Sequence, residues 1–437
     1  MDAWSASTVS TISSVYANLF NDAAEKGPRD FEFAERNGVI NVLRYFKDHE
    51  RNKVCFPEAA EANTTVLQKF NDNSLQLTVE NPGHLDSLVF VPSLDQSNID
   101  ITPDELEICP QAFGLTPRDI GAATNTLQDR ALGFECAGTV TQVGALASLE
   151  GYKVGDRVAV LMNGEFGNRI RVPWTGAVQI PSAMSFELAS ALPQAYATAW
   201  ISLMDVARIK KGDTILVHDA GSAVGQAAIS LAKFAGAEIF ATVNDMEHGS
   251  FIRRVIGIKA DHIFSSADST FAAAIRQKTK GCGVDIVLNT LEASLLHETL
   301  ECVASLGHFF ELGKRDMEQN SRLDMGAFAR GITFSAIDIT ILAKHKGHQV
   351  HQALTSALEL MKARKIGGVS VSVHDISNVV QAFRNAQSSG SLGTVVLSIK
   401  PDSMVPVIRQ VPRLKLHSNA SYVVVGGFGG IGQSICL

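Results

Sequence analysis

The chain has 437 residues, of which 46 % are hydrophobic and 19 % charged. That excludes general disorder, permits a sizeable core and suggests about three domains. With 38 Lys and Arg against 45 Asp and Glu, the net charge is −7. No basic field marks nucleic acid as a main partner.

No apolar run reaches about 18 residues, so no membrane span is expected. Residues 1–10 lack a charged segment followed by an apolar one, so no secretory signal is expected either. Six cysteines (Cys55, Cys109, Cys136, Cys282, Cys302 and Cys436) show no CxxC spacing. That argues against structural zinc and for a reducing, cytoplasmic setting.

In chain order, residues 9–23 can form a helix. Residues 31–45 carry apolar residues at strand-like spacing around a turn at Gly38. They read equally well as the edge of a larger unit or as a mobile arm. Short strands follow at 75–79, 87–91, 138–143 and 156–160, broken by Pro, Gly and Asp turns. Such spacing predicts a small antiparallel barrel.

From residue 186 the period lengthens. Strands are expected at 214–218, 239–243, 262–264, 284–288 and 308–312. Helices are expected between them at 227–234, 251–256, 271–279 and 295–304, the first stopped by Gly236. This alternation means βαβ units and a parallel sheet. A helix at 351–363 and strands at 369–373 and 393–398 come next. Residues 400–419 read as a polar linker, and a last strand at 422–425 runs into a glycine-rich end.

Two glycine-rich turns follow strands. A dinucleotide site needs bare backbone near the pyrophosphate and the N–H groups of a helix start. The terminal turn, Gly427, Gly429 and Gly432, has the right spacing. It has no room for the helix, next strand and acidic residue the fold requires. It is either the opening of a further domain or a glycine-rich tail.

The internal turn has complete context. It runs through Asp219, Ala220, Gly221, Ser222, Ala223, Val224 and Gly225. Ser222 stands where the second glycine of the fingerprint belongs. The turn is either a cofactor site with a steric handicap or a tight structural link.

The end of the following strand selects the ribose. NADPH wants a cation there and NADH an acid. Asn244, Asp245, Glu247 and His248 make a poor socket for a 2′-phosphate, and Arg253 and Arg254 are the nearest cations. Glu135 and Cys136 are adjacent and face apart in a strand, so no metal is expected. His218 ends a strand beside the turn and reads as a structural, hydrogen-bonded histidine.

Specific motifs now accumulate. They are 33–38 (FAERNG), 114–119 (GLTPRD), 132–138 (LGFECAG), 198–200 (TAW), 284–289 (VDIVLN), 313–316 (GKRD) and 320–325 (NSRLDM). Together they resemble the enoyl reductase region of fungal highly reducing type I polyketide synthases, a zinc-free branch of the medium-chain dehydrogenase/reductase superfamily. The glycine-rich end resembles the start of the ketoreductase that follows it in such synthases.

The resemblance implies an α/β fold with a GroES-like barrel and a Rossmann-type doubly wound parallel sheet. It implies a barrel over 61–185 completed by 345–400, and a nucleotide-binding domain over 186–340. Residues 1–60 would end a preceding ketoreductase-like region or linker. Residues 401–437 would be a linker and a truncated ketoreductase start.

It also implies NADPH-dependent reduction of an α,β-unsaturated acyl thioester on an acyl carrier protein. Other synthase domains and a second copy would be partners. Cofactor contacts are expected at Ala220, Gly221, Ser222, Ala223, Val224, Gly225, Asn244, Asp245, Asn289, Gly313 and Lys314.

Active relatives usually carry Gly-Gly-Val-Gly where this chain has 222–225 (SAVG). His248 and Gly249 stand in place of a Lys-Arg pair, and the lysine is proposed to hold the 2′-phosphate and aid protonation. Asp268 matches an aspartate proposed to partner it. His248 and Asp268 are therefore the expected catalytic pair. The usual Asn-Phe-Arg-Asp is 116–119 (TPRD). With these cofactor motifs altered, weak or absent NADPH binding is expected. The alternative function is an inactive scaffold or dimer contact.

Overall fold

The computed structural model describes residues 33–36, 39–42, 65–93, 100–127, 130–292, 294–323, 325–388 and 392–408. The expected helix at 9–23, the strand at 422–425 and the terminal glycine turn lie outside them. The chain divides into two units, residues 65–410, and residues 1–64 with 411–437. In the second of these, β1 (Phe33–Arg36) and β2 (Val39–Val42) pair antiparallel.

The larger unit begins with β3 (Thr65–Lys69), β4 (Leu75–Val79) and β5 (Leu88–Pro92). Next come β6 (Glu105–Leu115), β7 (Glu135–Val143), β8 (Arg157–Leu161), β9 (Ile170–Pro173) and β10 (Ala177–Gln179). The parallel strands are β11 (Thr214–Val217), β12 (Glu238–Val243), β13 (Ile263–Ser265), β14 (Val284–Asn289), β15 (Val303–Glu311) and β16 (Thr333–Ala336). The chain then returns through β17 (Val371–Asp375), β18 (Thr394–Ser398) and β19 (Met404–Ile408).

One barrel sheet has the order β10-β8-β7-β6-β18-β17, with β9 also pairing β6. A second has the order β3-β19-β5-β4. β19 corrects the reading of 400–419 as linker throughout, because residues 404–408 pair antiparallel with β3. The alternation of buried Val405 and Val407 with more exposed neighbours is a strand signature, obscured in sequence by Pro406.

The parallel sheet has the order β13-β12-β11-β14-β15-β16. Strand order reverses between β11 and β14, and ligands bind in the crevice outside the carboxyl ends of the strands at such a point. The expected alternation of strands and helices is present, with boundaries shifted by a few residues. The helix expected at 227–234 starts earlier, as Ala223–Ala235 (called α3 below), and Gly236 ends it in the left-handed region at φ 81°.

Ahead of it in the chain lie α1 (Pro117–Ala123) and α2 (Pro193–Trp200). Beyond it come α4 (Met246–Phe251), α5 (Thr270–Lys278), α6 (Ser294–Glu301), α7 (Ile339–His345), α8 (Gly347–Lys362) and α9 (Val379–Gln387). A single apolar cluster joins barrel residues such as Ala159 and Val178 to α2, α3, α8 and the sheet. The barrel and the parallel sheet therefore share a core, and Gly393 before β18 bridges Ser222 after β11.

Candidate functional site

The turn from β11 into α3 supplies the helix start an anion would need. Asp219 adopts φ 48°, and Ala220 N–H bonds the Thr242 carbonyl on β12, which fixes the bend. Ser222 is the N-cap of α3. Its hydroxyl accepts from Gly225 N–H at 3.1 Å and donates to the Asp219 carbonyl at 2.8 Å. The handicap expected at Ser222 therefore takes another form: the side chain turns back into the helix and occupies an N–H that a phosphate would use.

His248, on α4, packs against the same turn. Asp245 caps α4, accepting from His248 N–H at 2.9 Å and pairing with its Nδ1 at 2.8 Å. This tether buries the imidazole against Gly221. A Cβ placed on Gly221 would stand 2.4 Å from His248 Cδ2 and 3.3 Å from Leu392. Gly393 N–H donates to the Gly221 carbonyl at 2.8 Å, and Gln226 Nε2 donates to the same oxygen. Burial raises the Asp219 carboxyl, while the charge of His248 and a bond from Ser222 oppose that shift. Gly221, in the middle of the turn, is thus covered by the chain's own residues.

The other expected residues are scattered. Asn244 is exposed and accepts a bond from Ser266 at 2.7 Å. Asp268 is exposed and accepts from the N–H and hydroxyl of Thr270 at the start of α5, and those bonds hold its carboxyl below the usual range. It is bound to Thr270 and not to His248, so the geometry does not bring the expected catalytic pair together. Arg253 and Arg254 are exposed on the turn after α4.

His218 is a buried structural histidine, placed between Thr242 at 2.8 Å and Thr299 at 3.2 Å, and burial pushes it down to about 3.

Asn289, Gly313 and Lys314 do converge, at the ends of β14 and β15. Asn289 donates to buried Glu311 at 2.7 Å, and Gly313 N–H donates to the same carboxylate at 2.8 Å. Burial pushes Glu311 up to about 7 against those two bonds. Lys314 pairs with Asp338 at 2.5 Å, and Arg118 from α1 approaches Asp338 at 3.8 Å and donates to Thr340. Sequence reasoning missed Glu311, Asp338 and Gln226. The signal available was a lone polar residue at the end of an apolar strand or on an apolar helix face.

No group of three or more His, Cys, Asp or Glu among the described residues could hold a metal ion. No helix among them is long and apolar enough to cross a membrane.

Residues 102–182 match the alcohol dehydrogenase GroES-like domain, and residues 223–340 match the zinc-binding dehydrogenase family. The chain is 39 % identical over 437 residues to a highly reducing polyketide synthase of Aspergillus niger. That match covers 99 % of this chain and 17 % of the synthase, so the chain spans about a sixth of such relatives.

The CurK enoyl reductase superposes with a TM-score of 0.67 at 29 % identity, covering 75 % of this chain and 100 % of that one. A mycobacterial protein, Rv1454c, solved in complex with NADPH, superposes with a TM-score of 0.64 at 22 % identity over 75 % of this chain and 100 % of its own. The last likeness concerns the fold alone.

Proposed function

Because the chain belongs to the enoyl reductase family of highly reducing polyketide synthases, within the medium-chain dehydrogenase/reductase superfamily, we propose that it is a reductase-type module with a closed dinucleotide site. Its substrate class is the α,β-unsaturated acyl thioester presented by an acyl carrier protein. Its partners are the other synthase domains and a second copy, in the cytoplasm. NADPH, when bound to such a fold, supplies the hydride.

The residues here do not fit that cofactor as they stand. The observation that carries the reading is the His248 ring seated on Gly221 beside the Ser222 cap. A charge-assisted hydrogen bond contributes roughly 1.5–3 kcal/mol. Loss of two, from the helix start and the 2′-phosphate socket, weakens binding by about two to four powers of ten. The module then serves mainly to hold the acyl thioester and the fold of the synthase. An active NADPH-dependent reductase is the second reading, favoured by the retained strand reversal with Asn289 at its edge.

The test pairs NADPH titration by fluorescence with turnover of crotonyl-pantetheine on one preparation. Weak binding and no steady NADPH oxidation are expected. Micromolar binding with steady oxidation would restore the active reductase.

A further inference from the structure

The site has two halves about the strand reversal. The phosphate turn and the ribose-selecting residues belong to β11 and β12. The ends of β15 and β16 belong to the other half. That half is built differently. Lys314 follows β15, Asp338 follows β16, and Arg118 reaches across from the barrel helix α1. Their side chains are 27 %, 19 % and 17 % exposed, so the cluster is half-buried.

The orientation of Arg118 is fixed. Its guanidinium lies 4.6 Å from the centre of the Phe134 ring and donates to Thr340. Lys314 is fixed by Asp338, which burial would raise but which Lys314 and Thr340 together hold below the usual carboxylate range. Two cationic groups, one from the barrel helix and one from the sheet, thus meet at the Asp338 carboxylate, with the Phe134 ring against Arg118.

We propose that Arg118 and Lys314, held by Asp338, form a cationic site for the carbonyl oxygen of an acyl thioester. The proposal rests on the reading that this chain receives thioesters, and it is independent of NADPH. Any step that removes an α-proton from a thioester, or adds to the β-carbon of a conjugated one, places negative charge on that oxygen. Fixed cationic donors stabilise such charge without reorganising. Asp338 positions both donors and also competes for them.

The experiment uses acetoacetyl-pantetheine on the full chain. Binding is followed by calorimetry, and the bound ligand by its near-ultraviolet enolate band at one fixed pH. The enolate forms by loss of the α-proton to water, so no oxidant or reductant is needed. A neighbouring cation favours the charged form by a unit of pKa or more, so the enolate-to-neutral ratio should rise about tenfold on binding.

Arg118→Gln should abolish that rise, Arg118→Lys should keep part of it, and Lys314→Gln should reduce it. Asp338→Asn should increase it, because the competing carboxylate is gone. A purely structural clasp predicts loss in all three neutralised variants, so the opposite signs at Arg118 and Asp338 separate the two roles. Binding without an enolate rise, or an unchanged rise in Arg118→Gln, overturns the proposal alone. Absence of binding overturns the thioester reading with it.

Discussion

Glu135 at the start of β7 shows how much a residue's chemistry depends on what folds over it. Its carboxyl is buried against Gly114 and accepts from Gln194 N–H at 2.9 Å. Burial pushes it up to about 8, against the opposing bond from Gln194. In the fold it keeps a proton that the unfolded chain releases at 4.5. Stability from this group is therefore full below about 4.5 and lost as pH rises toward 8.

Glu311 acts in the same direction up to about 7. The melting temperature is expected to fall by at least about 2 °C between pH 5 and pH 8. Glu135→Gln should flatten part of that slope, and a wild-type profile rising over the same window would contradict the assignment. The sequence placed Glu135 in a strand, but it gave no sign of this burial, because Gly114 and Gln194 are distant in the chain. The same holds for His248, whose local partner Asp245 is legible while its contact with Gly221 is not.

Among the elements, the regular alternation from β11 onward was readable because the strands are short apolar runs and α3 is closed by Gly236. β6 was not readable, although it is the long central strand of the barrel. Pro110 interrupts its pattern, and its pairing with β7 shifts register between Glu107 and Ile108 and again between Pro110 and Ala112. A proline fits a strand at such an irregularity, where a ladder N–H is not required. α2 was missed because its small and apolar residues are buried nearly all round, which removes the amphipathic period.

The short helix α1 after β6 is specified more sharply. Thr116 and Asp119 form a capping box, and buried Asp119 also accepts from Gly133 N–H at 2.6 Å. Asp119→Ala leaves buried donors at Thr116 and Gly133 without a partner. It is expected to cost about 3 kcal/mol or more in urea unfolding. A loss below about 1 kcal/mol would show that water or a neighbour replaces the carboxylate.

For the whole molecule, the pairing of β3 with β19 sets Thr65 opposite Ile408, which brings the two ends of the larger unit together. A chain of residues 65–410 should therefore fold alone and melt within about 3 °C of the full chain. Removing residues 418–437 should likewise leave melting and solubility unchanged, and a large loss in either case would show that the outer segments complete this core.

Neither Ser222 nor His248 belongs to the apolar core that joins barrel and sheet, so under the proposed reading the dinucleotide half of the cleft closes without altering that core. The most direct test of that claim is NADPH titration of Ser222→Gly/His248→Lys beside the unaltered chain. The exchange frees the Gly225 N–H, uncovers Gly221 and restores a cation. Binding tighter by about two powers of ten is expected from the two regained contacts. Equal affinity in the two chains, whether both weak or both micromolar, would contradict it.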